Sequence, residues 1–141
     1  MATPIFTRTD LAGPYRLPPA RRTALADTLA APDHTLIRIA PVQAATPDAW
    51  LRQCGDCLGF PAHFGANFDA LFDALCDREL LPQATLILQI GELAALVEEG
   101  VDTLIAVLQA AADEWRAEDR RLWALFDAPD LDLDPLPAGQ P

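Results

Sequence analysis

Three aspartates, Asp69, Asp73 and Asp77, recur at every fourth residue, and His63 stands six residues before the first. On a helix this spacing sets the carboxylates in one stripe. Carboxylates near a histidine are the material of general acid–base catalysis or of a Mg²⁺ site. Neither reading finds support, because no nucleophile, second histidine, Gly-rich phosphate loop or further convergent acid lies nearby in the chain. The stripe is also unfavourable for folding. Like charges at i, i+4 cost about 0.2–0.5 kcal/mol per pair. Asp is a poor helix former, and only Asp69 falls in the first turn, where the helix dipole favours it. Periodicity leaves two readings open: a solvated face softened by Arg78, or a negative surface kept for a basic partner.

The three cysteines are too few and too odd in number for a disulfide framework. Cys54-Gly55-Asp56-Cys57 has CxxC spacing, but a redox motif should open a helix, where the terminus lowers the thiol pKa. Here it closes a helical segment. A zinc site would need Cys76 and one of two isolated histidines, His34 or His63. Ordinary thiols on a helix are the expectation, with no cofactor and no metal.

The elements that must carry these residues follow from the chain around them. At 141 residues and 51% hydrophobic composition, the chain fits one globular domain with a real core. No apolar run approaches the roughly 18 residues of a membrane span. The start of the chain shows no basic-then-apolar secretory pattern, so a cytoplasmic protein is expected. Net charge is −11. Residues 1–30 carry four Arg against two acids, and residues 31–141 carry six Arg against 19 acids, or −13. That balance disfavours nucleic acid and suits a basic protein partner.

A short extended piece at Gly13–Leu17 and a helix from Pro18 to about Leu29 open the chain. His34–Ala40 alternates and reads as a strand. Thr46-Pro47-Asp48 starts a helix that Gly59 ends, with Trp50, Leu51, Cys54 and Leu58 on one face. Asn67, the only Asn, sits where an N-cap is needed for a helix running to about Arg78. Along that helix Phe68, Leu71, Phe72 and Leu75 form the core stripe beside the aspartates. Thr85–Ile90 is a continuous apolar run, as in a buried parallel strand. A short helix over Glu92–Glu98, a break at Gly100, a long helix from Val101 to about Ala117 and a strand at Leu122–Phe126 follow. The tail from Ala128, with four prolines and alternating acids, is expected to be disordered. Strands alternating with helices imply an α/β fold with a parallel sheet and right-handed crossovers.

The segment from Leu58 to Asp73, LGFPAHFGANFDALFD, resembles the signature of the barstar family, inhibitors of the ribonuclease barnase. Gly65, Asn67, Asp69 and Asp73 stand at that pattern's spacing inside an apolar frame. The resemblance covers about residues 34–127 and leaves residues 1–33 as an N-terminal extension with a short helix, and 128–141 as a tail. It implies a three-layer-like barstar fold. A small parallel three-stranded sheet, with one extra N-terminal strand allowed, would be packed by four to five helices.

The same resemblance implies a non-enzymatic protein that inhibits a basic barnase-type ribonuclease by occlusion, as a monomer in a 1:1 complex. Asp73 would be the central phosphate mimic and Asp69 its neighbour. His63 stands where the family has a Tyr that packs into the ribonuclease site, next to Phe64. Gly65 allows close backbone approach, Asn67 caps the helix, and Phe72 replaces a bordering Trp. Cys76 and Asp77 complete the surface. An acid of the long helix falls at Ala110 here, and Asp113, one turn on, is the expected substitute. The alternative is a barstar-fold adaptor or regulator that binds a different basic partner, reached through residues 1–33, without inhibiting a ribonuclease.

Overall fold

The computed structural model describes residues 5–28, 34–41 and 43–137. Strands β1 (Pro14–Arg16), β2 (His34–Ile39), β3 (Thr85–Ile90) and β4 (Arg121–Phe126) form one parallel sheet in the order β1-β4-β3-β2. The helices are α1 (Pro19–Thr28), α2 (Pro47–Leu58), α3 (Phe68–Leu75) and α4 (Glu98–Ala117), with single 3-10 turns at Ile5–Thr7 and Leu93–Ala95. The class is α/β as expected. The extended piece near Tyr15 is the extra strand, which makes the sheet four-stranded. The expected end of α1 at Leu29 lies outside the described residues.

Because side chains alternate along a strand, each face of the sheet has its own core. Ile39, Leu86, Leu88, Ile90, Leu122, Ala124 and Phe126 pack with α2, α3 and α4. Ile87, Trp123 and Leu125 point the other way, onto Ile5, Phe6, Leu17, Leu25 and Leu136. The register sets Ile39, Ile90 and Phe126 side by side across three strands, so each layer of apolar residues stays on its own face. Burial on both faces explains why β3 lacks polar alternation.

That second core corrects the expected disordered tail. Over 128–137 the tail is packed: Leu136 is 5% exposed, Arg16 N donates to Asp134 O, and Leu136 N donates to Arg16 O. Arg21 Nη1 donates to the carbonyls of Leu136 and Pro137 at 2.7 and 2.8 Å. Composition misled because Leu131, Leu133 and Leu136 supply apolar anchors between the acids and prolines.

Two further boundaries differ from expectation. Gly100 does not break a helix but is the third residue of α4. First-turn N–H groups have no intrahelical partner, and a Cβ at Gly100 would sit 3.4 Å from Leu96 Cβ. The preceding helix shrinks to Leu93–Ala95, flanked by Glu92 at φ 55° and an extended Leu96.

Candidate partner-binding site

The site begins where α2 ends. Gly59 closes that helix in the left-handed conformation, φ 74°, and its N–H reaches the carbonyls of Asp56 and Gly55. Phe60 N then donates to Gly55 O, and Phe64 N to Pro61 O, both at 2.9 Å. The Phe60 and Phe64 rings lie 5.2 Å apart, and both side chains are buried. A Cβ on Gly55 would stand 2.6 Å from Phe64 Cδ2. The glycine inside the CxxC spacing therefore seats the loop that carries His63.

Cys54 itself is buried, and burial, reinforced by nearby Cys57, pushes its thiol up to about 12. Such a thiol is unsuited to redox work at neutral pH. Among the described residues no cluster of three or more His, Cys, Asp or Glu could hold a metal ion.

Ala66 follows with φ 51°, an uncommon left-handed backbone for a residue with a Cβ. It delivers Asn67 to the N-cap of α3, where Oδ1 accepts from Ala70 N at 2.8 Å and Nδ2 donates to Gly65 O at 3.4 Å. Leu71, Ala74 and Leu75 turn inward, while Phe68 and Phe72 are half-buried at the margins of the core. The core stripe is thus rotated slightly from the Phe68–Leu75 expectation. Asp69 and Asp73 remain exposed on the outer side, and no described base pairs with either.

Asp77 does not extend their stripe. The helix stops at Leu75, and Asp77 Oδ1 instead accepts from Glu79 N at 2.9 Å, within a turn closed by Leu80 N and Leu81 N on Asp77 O. Aspartate favours such local capping over helix continuation, which ends the helix before the expected Arg78. The turn returns Asp77 to the site by another route. His63, Asp73 and Asp77 rim a concavity of about 240 Å³ whose wall includes Pro61, Phe64, Ala70, Ala74 and Leu80.

Cys76 is half-buried at the C-cap of α3. Burial, joined by the negative charges of Glu114, Asp73 and Glu118 against the opposing charge of Arg120, raises its thiol to about 11. These charges mark where α4 meets α3. The acid that α4 brings there is Glu114, missed in the sequence. Asp113 faces elsewhere: it pairs with Arg116 at 2.7 Å and accepts from Gln109 Nε2 at 3.1 Å. Arg116 in turn donates to the carbonyls of Thr9 and Ala12. Helical arithmetic offered the signal, since residue i+4 from Ala110 keeps its direction within about 40° and i+3 misses by about 60° on the other side.

Carboxylates can only accept hydrogen bonds. Two of them, unpaired and fixed on a capped helix beside a seated loop, can receive charge-assisted bonds from Arg, Lys or His⁺ of a partner. Residues 34–127 match the model of the family described as Barstar (barnase inhibitor). The chain belongs to the barstar family. No curated protein matches it. Barstars are inhibitors and not catalysts, and the capped helix with its preceding loop lies wholly inside the matched region. Residues 5–28 and 128–137, which build the second face of this barstar, lie outside it.

Proposed function

We propose that the protein inhibits a basic ribonuclease of the barnase type by seating α3 and the loop before it in the catalytic cleft. It would act in the cytoplasm as a monomer, forming a 1:1 complex. Asp73 and Asp69 take the place of RNA phosphates among the cationic catalytic groups. Glu114 and Asp77 extend the negative surface, and His63 rims the concavity beside Asp73. The carrying observation is the pair Asp69 and Asp73, exposed and unneutralised on a helix whose other side is anchored by Leu71 and Leu75. A net charge of −11 would speed encounter with a basic enzyme.

The test is co-expression with a barnase-type ribonuclease, comparing growth rescue by the wild type and by the Asp69→Ala/Asp73→Ala variant. Rescue by the wild type alone is expected, with the variant still folded. Equal rescue by both would remove this pair from the inhibitory surface.

An adaptor for another basic partner is the second reading, favoured by the extra layer outside the family match. Deleting residues 1–33 is not a clean test of it, since Phe6, Leu17 and Leu25 belong to the core. Purified wild type that folds yet binds no barnase-type ribonuclease would support the adaptor.

A further inference from the structure

A second recessed surface lies along α4, away from α3. A cavity of about 590 Å³ opens between Asp10–Tyr15, the α4 residues Asp102, Ile105, Ala106 and Gln109, and Leu133 and Asp134 of the tail. A neighbouring one of about 420 Å³ continues it between Glu98, Val101 and Asp102 of α4 and the tail residues Asp130, Leu131 and Asp132. Asp102 lines both, so they form one groove. From Glu98 to Gln109 it spans twelve residues of helix, roughly 16 Å over the eleven rises of 1.5 Å between them. That length accommodates about five residues of extended chain.

The floor and rim differ in chemistry. Val101, Ile105, Leu131 and Leu133 are half-buried and supply apolar surface. The rim is acidic: Glu98, Asp102, Asp130, Asp132 and Asp134 are exposed, and no described base pairs with any of them. Arg116, the base lining the groove, is committed to two backbone carbonyls and to Asp113. The tail wall is a fixed one, since Arg16 and Arg21 hold its carbonyls from Leu133 to Pro137. Alternation from Asp130 to Asp134 turns the leucines toward the core and leaves the aspartates outside.

We infer that this groove docks an extended segment of a protein partner in which basic side chains alternate with small apolar ones. The acids of both walls would receive the cations, and the half-buried floor would take the apolar side chains. Charge alone would equally suit a polyamine. The apolar floor favours a peptide, which can bury side chains there while its cations reach the rim. Half of the groove is built by segments outside the family match, so the surface is independent of the α3 site.

The full-length protein can be titrated against a fluorescein-labelled decapeptide of alternating arginine and alanine, followed by anisotropy at low ionic strength. Ala106→Trp fills the groove from an exposed helix position without changing charge. Asp102→Asn/Asp132→Asn removes rim charge. Asp69→Asn/Asp73→Asn and Glu79→Gln/Glu92→Gln remove as much charge elsewhere. The wild type is expected to bind, the first two variants to weaken binding by about tenfold or more, and the last two by less than about threefold. Three results would overturn the inference: no binding by the wild type, unchanged binding by Ala106→Trp, or equal loss in all three charge variants. Displacement of the peptide by spermine as readily as by unlabelled peptide would also overturn it, since binding would then need no floor.

Discussion

The Phe64 ring lies against Gly55 so closely that a Cβ there would come within 2.6 Å of Cδ2. Replacing a mid-helix glycine by alanine normally stabilises by about 1 kcal/mol. At Gly55 the sign should reverse, because over-packing costs about 1–3 kcal/mol and the ring must move. Chemical denaturation of Gly55→Ala should show a net loss. Gly55→Ala/Phe64→Leu should recover much of it if the collision is the cause.

Removing the acid at position 73 should separate binding from folding. Asp73→Asn relieves one like-charge i, i+4 contact, so stability should hold or rise by about 0.2–0.5 kcal/mol. Affinity for a barnase-type ribonuclease, measured by calorimetry, should fall by more than the ~2 kcal/mol that marks a hot spot, a general threshold for which barnase–barstar is itself a worked case. Wild-type affinity should also weaken as salt is added.

The N-cap makes a third expectation. Asn67→Ala leaves Ala70 N without its side-chain acceptor, and should cost about 0.5–2 kcal/mol in denaturant unfolding. Asn67→Asp, which keeps an acceptor, should cost less.

Thiol chemistry should rank the cysteines. Cys57 is exposed, Cys76 half-buried and Cys54 buried. With the Cys76 thiol raised to about 11 and that of Cys54 to about 12, both stay protonated near neutrality. Iodoacetamide labelling at pH 7.5, read by mass spectrometry, should modify Cys57 first. The Cys76 rate should climb with pH toward about 11 as thiolate forms. The linkage has the same sign: unfolded thiols ionise at lower pH than these two, so stability should decline as pH rises above about 9.

Truncation after Pro129 should destabilise the fold. It removes Leu136 from the second core and takes away the carbonyls that Arg21 grips. Burial of one leucine contributes about 1.5–3 kcal/mol, so a lower melting temperature of at least that equivalent is expected.

Much of the architecture was legible because single residues carry it. Thr46, Asn67 and Gly59 mark helix ends through caps that require those side chains or that backbone, and the apolar run of β3 announces burial on both faces. What escaped depended on three-dimensional closure. Whether Asp77 continues a helix or caps the next turn turns on a local competition that periodicity does not weigh. The choice between Asp113 and Glu114 depends on which side of α4 meets α3, and Arg116 settles the former toward Thr9 and Ala12. The tail looked unfoldable by composition because Leu136 gains a core only when β1 lies beside it, and Leu131 and Leu133 only against the core that α4 shares.

The three tryptophans are all fully buried, and each indole N–H donates to the backbone of a distant segment. Trp50 reaches Glu92 O, Trp115 reaches Leu75 O, and Trp123 reaches Phe6 O. The molecule therefore carries an optical probe at each of three joints: α2 with the turn after β3, α4 with the end of α3, and the sheet with the N-terminal layer. Emission from the native state should be blue-shifted, and variants keeping one indole each would show in which order those joints open. Trp115, hydrogen-bonded to the helix that bears Asp69 and Asp73, is the emitter placed to register a ligand pressing on that helix.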